Sequence, residues 1–118
     1  MSRGIHIIAD MKGLDFWNFL MNIEIMEELL LTLAEKHNLS VIWKMFHSFG
    51  KVNEFSCVLM LAESHISMHT WPEKDLITVD VFVCGVLHDN RWKAKNFYED
   101  LKSYLSPKSV EEQFLDRI

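Results

Sequence analysis

Cysteine is scarce in this 118-residue sequence: Cys57 and Cys84 are too few for the disulfide framework of a small secreted domain. No signal-like segment opens it, because the short apolar stretch Ile7-Ile8-Ala9 is closed at once by Asp10. Reduced thiols in the cytoplasm are the expectation. Long apolar runs are missing too. The most apolar region, Ile25 to Ala34, carries Glu27 and Glu28, so nothing approaches the ~20 apolar residues of a membrane span. Basic clusters are also absent: Lys plus Arg total 12 against 17 Asp plus Glu, a formal charge of −5. That balance argues against nucleic acid or an anionic membrane as partner. There is no repeat, low-complexity tract or interdomain linker. A single domain of this length buries a real core but has no room for a separate cofactor-binding module, so any cofactor is small or self-made.

What is present alternates between strand and helix patterns. Gly4 to Asp10 reads as a short strand, and Asp15 as the N-cap of a helix to about Lys36, with Phe16, Phe19, Leu20, Ile23, Leu30 and Leu33 at helical spacing. Leu39 to Phe49, closed by Gly50, and Phe55 to Ala62 suit strands. Ile77 to Cys84 alternates cleanly, placing Ile77, Val79, Val81 and Val83 on one face and Thr78, Asp80, Phe82 and Cys84 on the other. The aliphatic face should meet the helices. The mixed face suits neither core nor solvent, so a second sheet or subunit is expected over it, around a site. Asn90 can cap a second helix bearing Ala94, Phe97, Tyr98, Leu101, Tyr104 and Leu105 on one face, with Pro107 as its stop. Val110 to Leu115 suits an edge strand. The connections are too short for repeated crossovers, so the expected fold is α+β: a two-layer sandwich of a mainly antiparallel sheet with two helices on one face.

Reactive side chains are densest in Glu63-Ser-His-Ile-Ser-Met-His-Thr-Trp-Pro-Glu73, with Cys84 further along. Serine, histidine and cysteine can act as nucleophile, acid or base, and proton donor. On a strand His65 and His69 would point the same way, and Cys84 could complete a zinc site with them. Histidines hydrogen-bonded inside an interface are the structural alternative.

The string LAESHISMHTWPE followed by VDVFVCG resembles the signature of the bacterial and archaeal S-adenosylmethionine decarboxylases. Looser similarity runs through Gly4-Ile-His6, Phe46-His47-Ser48-Phe49 and Ser56. The resemblance implies a chain that cuts itself between Glu63 and Ser64, leaving residues 1 to 63 as a beta chain and 64 to 118 as an alpha chain. Ser64 would attack the Glu63 carbonyl, β-elimination from the ester would leave a dehydroalanine, and its tautomer would lose ammonia to water to give a covalent pyruvoyl group, so neither a metal nor an added cofactor is implied. Serine is required because its hydroxyl is first nucleophile and then leaving group. By the family pattern His69 assists processing, Ser56 supports it, and the pyruvoyl ketone forms a Schiff base with the substrate amino group. Cys84 matches the family's proton donor, returning a proton to the former α-carbon. Phe49 would stack on adenine and Glu73 would hold the ribose hydroxyls. Asp10 falls where the family has an acidic residue and is given no role. The implied assembly is a homodimer of processed heterodimers with its sites between the sheets, and the implied product serves spermidine synthesis.

The sequence departs from the family at two places. Glu54-Phe55-Ser56-Cys57 stands where the pattern has two glycines, and Lys74-Asp75-Leu76 replaces a Gly-containing turn. Relatives of this fold decarboxylate arginine or ornithine, whose distal cation Glu54 or Asp75 could pair with. An unprocessed, non-catalytic partner subunit is the third reading.

Overall fold

The computed structural model describes residues 3–18, 21–62, 64–85 and 88–117. Strand β1 (Gly4–Lys12) leads to helix α1 (Ile23–Lys36), β2 (Val41–Ser48), β3 (Phe55–Leu61), β4 (His65–Trp71), β5 (Leu76–Cys84), helix α2 (Arg91–Leu105) and β6 (Ser109–Arg117). The six strands form one sheet in the order β2-β3-β4-β5-β1-β6, every neighbouring pair antiparallel. Both helices lie on one face, giving the expected α+β sandwich.

Alternation within each strand decides what that face buries. Ile5, Ile7, Ala9 and Met11 of β1, Phe55, Cys57, Leu59 and Leu61 of β3, and Ile77, Val79, Val81 and Val83 of β5 are buried toward α1 and α2. They meet Met26, Leu30 and Leu33 of α1 and Ala94, Phe97 and Leu101 of α2. Each fully buried aliphatic or aromatic side chain stabilises the fold by about 1.5–3 kcal/mol. The Tyr98 hydroxyl donates to Glu112, and Lys102 Nζ bonds the same carboxylate at 3.2 Å, tying edge strand β6 to α2.

Four details differ from the sequence expectation. Helix α1 starts at Ile23, not after Asp15. Asn22 Oδ1 accepts the Glu24 N–H at 2.8 Å and caps it, whereas Asp15 Oδ1 accepts the Trp17 N–H at 3.0 Å in a separate turn. Phe16 is buried from that turn, and Phe19 and Leu20 lie outside the described residues. Tyr104 of α2 is exposed. The Asn90 side chain does not cap α2. Finally, the segment beginning at His65, whose polar composition hid its pattern, is a full strand with Ile66, Met68 and Thr70 buried. The buried Thr70 hydroxyl is satisfied by the Phe55 N–H at 2.9 Å and the Asn53 carbonyl at 2.8 Å.

The two places where the family pattern's glycines are missing have local solutions. Asp75 takes φ 50° at the end of a 3₁₀ turn, Pro72–Lys74, a left-handed conformation that aspartate tolerates. In the β2–β3 connection Gly50 takes φ 117°, so Glu54 need not adopt a left-handed conformation.

Candidate functional site

Opposite the helices the sheet is open. Its second face carries Trp43, Met45 and His47 of β2; Ser56, Val58 and Met60 of β3; His65, Ser67, His69 and Trp71 of β4; and Thr78, Asp80, Phe82 and Cys84 of β5. Trp43, Met45 and Met60 are each about half exposed, an apolar surface interleaved with titratable groups.

Ser64 lies at one end of this face. Leu61 and Ser64 exchange backbone hydrogen bonds of 2.8 and 3.4 Å, closing the connection from β3 to β4; Glu63 lies outside the described residues. Ser64 Oγ accepts the Cys84 N–H at 2.9 Å, which fixes the hydroxyl against the end of β5. A cavity of about 140 Å³ opens beside them, lined by Ser40, Ser64, Cys84, Asn90 and Lys93 among others. Cys84 is partly exposed and unpaired. The other cysteine, Cys57, faces the core, where burial pushes its thiol up to about 12 and leaves it inert.

His69 stands near the opposite end. Five residues of extended chain separate it from Ser64, about 17 Å at roughly 3.4 Å per residue. Its cross-strand neighbours are Ser56 on β3 and Thr78 on β5. Rings gather round it: Trp71 at 4.1 Å between centroids and Phe49 at 5.4 Å, with His47 edge-on to Phe49 at 4.7 Å. Trp71 Nε1 donates to Thr78 Oγ1 at 3.3 Å, which fixes the indole. A cavity of about 270 Å³ lies over this region, reaching from Met45 and His47 across Ser56 and His69 to Asp80. Glu73 is exposed in the 3₁₀ turn just beyond Trp71. Glu54 is half-buried in the β2–β3 connection, and Asp75 is exposed.

The predicted residues therefore form two groups. Ser64 and Cys84 are together; Ser56, His69 and Phe49 are together, with Glu73 at that end. No single chain joins the groups, and a zinc site of His65, His69 and Cys84 is not assembled. Among the described residues no three His, Cys, Asp or Glu side chains converge as metal ligands.

Between the groups lies a cluster that sequence reasoning missed. His6 Nε2 meets Asp80 Oδ1 at 3.1 Å, and Arg117 donates to His6 Nδ1 at 3.2 Å. Because arginine only donates, Nδ1 is the acceptor and the His6 proton sits on Nε2, bonded to Asp80. Phe82 lies between His6 and His65, with ring centroids 5.8 and 5.7 Å away, and the Arg117 guanidinium covers it at 4.6 Å. Alternation alone places these side chains on the open face; only the β1–β5 and β1–β6 registers join them.

Comparison with known proteins gives a consistent result. A family model described as S-adenosylmethionine decarboxylase matches residues 5–118. An S-adenosylmethionine decarboxylase proenzyme of Clostridium botulinum (strain Loch Maree / Type A3) is 42% identical over 88 residues, 75% of this chain and 74% of that protein. The proenzyme of Aquifex aeolicus (strain VF5) is 37% identical over 114 residues, 97% of this chain and 80% of that one. A crystal structure of the adenosylmethionine decarboxylase from Aquifex aeolicus VF5 superposes with a TM-score of 0.84 at 35% identity, covering 98% of this chain and 91% of that one. With its fold, the chemistry-bearing face of its sheet and its sequence all pointing the same way, this chain belongs to the S-adenosylmethionine decarboxylase family.

Proposed function

We propose that the chain decarboxylates S-adenosylmethionine with a pyruvoyl group made from its own Ser64, in sites shared between two copies. The observation that carries this reading is the separation of Ser64 and Cys84 from Ser56 and His69 along one exposed face. Two copies packed face to face with their strands reversed bring each Ser64 opposite the other copy's His69. The exposed apolar residues of that face are then covered.

The surroundings of Ser64 fit self-cleavage. Its hydroxyl is held by a backbone N–H rather than lost in the core, and a cavity adjoins it. Cutting between Glu63 and Ser64 leaves the ladder from Ser56 opposite His69 to Met60 opposite His65 intact, so fragments 1–63 and 64–118 stay assembled. When formed, the pyruvoyl group supplies a ketone that takes up the substrate amino group and accepts the electrons released with carbon dioxide.

The remaining roles belong to this chain's side chains. His69 supplies a base for processing, supported by Ser56, and Cys84 Sγ holds the proton returned to carbon. Phe49 offers its ring to the adenine, and Glu73 offers its carboxylate to the ribose hydroxyls. The sulfonium is a cation, suited to the aromatic surround of His69. Asp75 already has a structural task in its left-handed turn, which weakens its claim as a partner for the distal cation of arginine or ornithine. Two unpaired thiols suit a cytoplasmic enzyme.

Intact-mass measurement of the wild-type chain beside Ser64→Ala tests the reading. Wild type should give fragments 1–63 and 64–118, the latter with a carbonyl-reactive N-terminus, and Ser64→Ala a single chain. One uncut chain from both overturns it. Carbon dioxide release from S-adenosylmethionine, arginine and ornithine then tests the substrate.

A further inference from the structure

Helix α2 begins with an asparagine that does not cap it. Asn90 has φ −101° and ψ 10°, outside the extended region from which a cap side chain reaches the first-turn N–H groups. Asp89 does this instead: its Oδ1 accepts the Arg91 N–H at 3.1 Å, while its carboxylate holds the Arg91 guanidinium. The Asn90 amide packs on Gly85. A Cβ added to Gly85 would lie 2.9 Å from Asn90 Nδ2 and 1.8 Å from the His88 carbonyl oxygen, so the chain after Cys84 folds back onto a residue that can only be glycine. Gly85 is bonded to Cys84, whose N–H holds Ser64 Oγ, and Asn90, Cys84 and Ser64 line the same cavity. A continuous set of contacts thus runs from α2 to the serine hydroxyl.

We propose that Asn90 is a positioning residue for self-cleavage: seated on Gly85, it fixes the Cys84–Gly85 backbone so that the Cys84 N–H holds Ser64 Oγ in place for its attack. The inference rests on the reading of Ser64 given above. In the first step a bond forms between Oγ and the Glu63 carbonyl carbon, the carbon–nitrogen bond breaks, and the hydroxyl proton passes to the departing Ser64 nitrogen. Nothing enters or leaves, so the rate depends on where Oγ is held. A displaced reacting atom costs up to about a hundredfold, and loosening one contact in its support should cost about tenfold.

The test follows self-cleavage of freshly translated full-length chains by intact mass, for wild type, Asn90→Ala and Asn90→Asp, with melting temperatures of the same substitutions in an uncuttable Ser64→Ala background. Asn90→Ala should cut about tenfold more slowly, with an unchanged melting temperature because no cap is lost. Asn90→Asp, which keeps the shape, should recover most of the lost rate. Wild-type cutting by Asn90→Ala, a melting temperature that falls along with the rate, or no recovery in Asn90→Asp overturns the proposal. Failure of the wild-type chain to cut would instead remove the reading of Ser64.

Discussion

At the Ser64 end of the open face a hydroxyl and a thiol meet at the end of β5, while the adjoining His65 ring lies against Phe82. At the other end His69 stands among aromatic rings beside Ser56, with no cleavable connection near it. The helix-covered face shows no such division: it is apolar along its length, and the buried polar side chain described on it, Thr70, is spent on backbone groups of Asn53 and Phe55. The two ends also differ in their surroundings: the cavity beside Ser64 and Cys84 is bordered by Asn90 and Lys93 at the start of α2, whereas the one over His69 is lined by strand residues. The processing roles proposed for Ser64 and His69 cannot both be met within one rigid sheet that holds them about 17 Å apart, so the contrast between the two ends supports the proposed second copy.

The largest expected effect breaks the comparison directly. Ser64→Ala and His69→Ala chains made separately should show no measurable decarboxylation. Made together, half of the dimers are mixed and each mixed dimer holds one intact site, so activity should return to about a quarter of wild type. Co-expression that gives no more than either parent would mean that each site is contained within one chain.

Next in size is a division of labour. Cys84→Ala keeps the backbone N–H that holds Ser64, so cutting should proceed while turnover falls roughly 10²–10⁴-fold. His69→Ala should instead stop the cut. If Cys84→Ala also fails to cut, as shown by intact mass, the thiol belongs to processing and its role as proton donor is wrong.

Legibility in the sequence followed the same contrast. The strands of the covered face were readable because burial writes a period of two into Ile77 to Val83. Strand β4 was not, since its exposed positions are Ser and His and only Ile66, Met68 and Thr70 mark the buried side. The start of α1 was misplaced because Asp15 and Asn22 are equally good caps, and Phe16 is apolar for a turn's reason rather than a helix's. The candidate site residues come from resemblance to a family. Their grouping into two ends was not legible, because it depends on which residues sit opposite each other across β3, β4 and β5. The gathering of His6 and Arg117 onto Asp80 and Phe82 was missed because it depends on the β1–β5 and β1–β6 registers.

Smaller effects sharpen the aromatic end. Phe49→Ala should raise KM for S-adenosylmethionine about tenfold, the size of one lost aromatic stack, and leave kcat within about twofold. Glu73→Gln should raise KM by less, because its carboxylate is exposed. A fall in kcat with KM unchanged would place Phe49 in the reaction step rather than in binding.

The smallest effect is a control on the covered side. Asp100 of α2 holds Lys36 Nζ at 2.8 Å and His37 Nε2 at 2.7 Å, joining the end of α1 to α2. The Lys36 ammonium first, and then His37, lower the Asp100 pKa from the ordinary 3.8. A carboxyl lowered on folding contributes stability that is fully present above its unfolded value and is lost as pH falls through its folded one. Acid unfolding of wild type below about pH 4 should therefore be steeper than that of Asp100→Asn, followed by circular dichroism from pH 5 to 2. At neutral pH the variant should cut and turn over as wild type does, because neither end of the open face touches Asp100. Identical acid-unfolding curves would show that this tether, exposed to water and salt, adds nothing measurable. Altered cutting would show that the coupling of α2 to the open face is not confined to its Asn90 end but reaches the Asp100 tether.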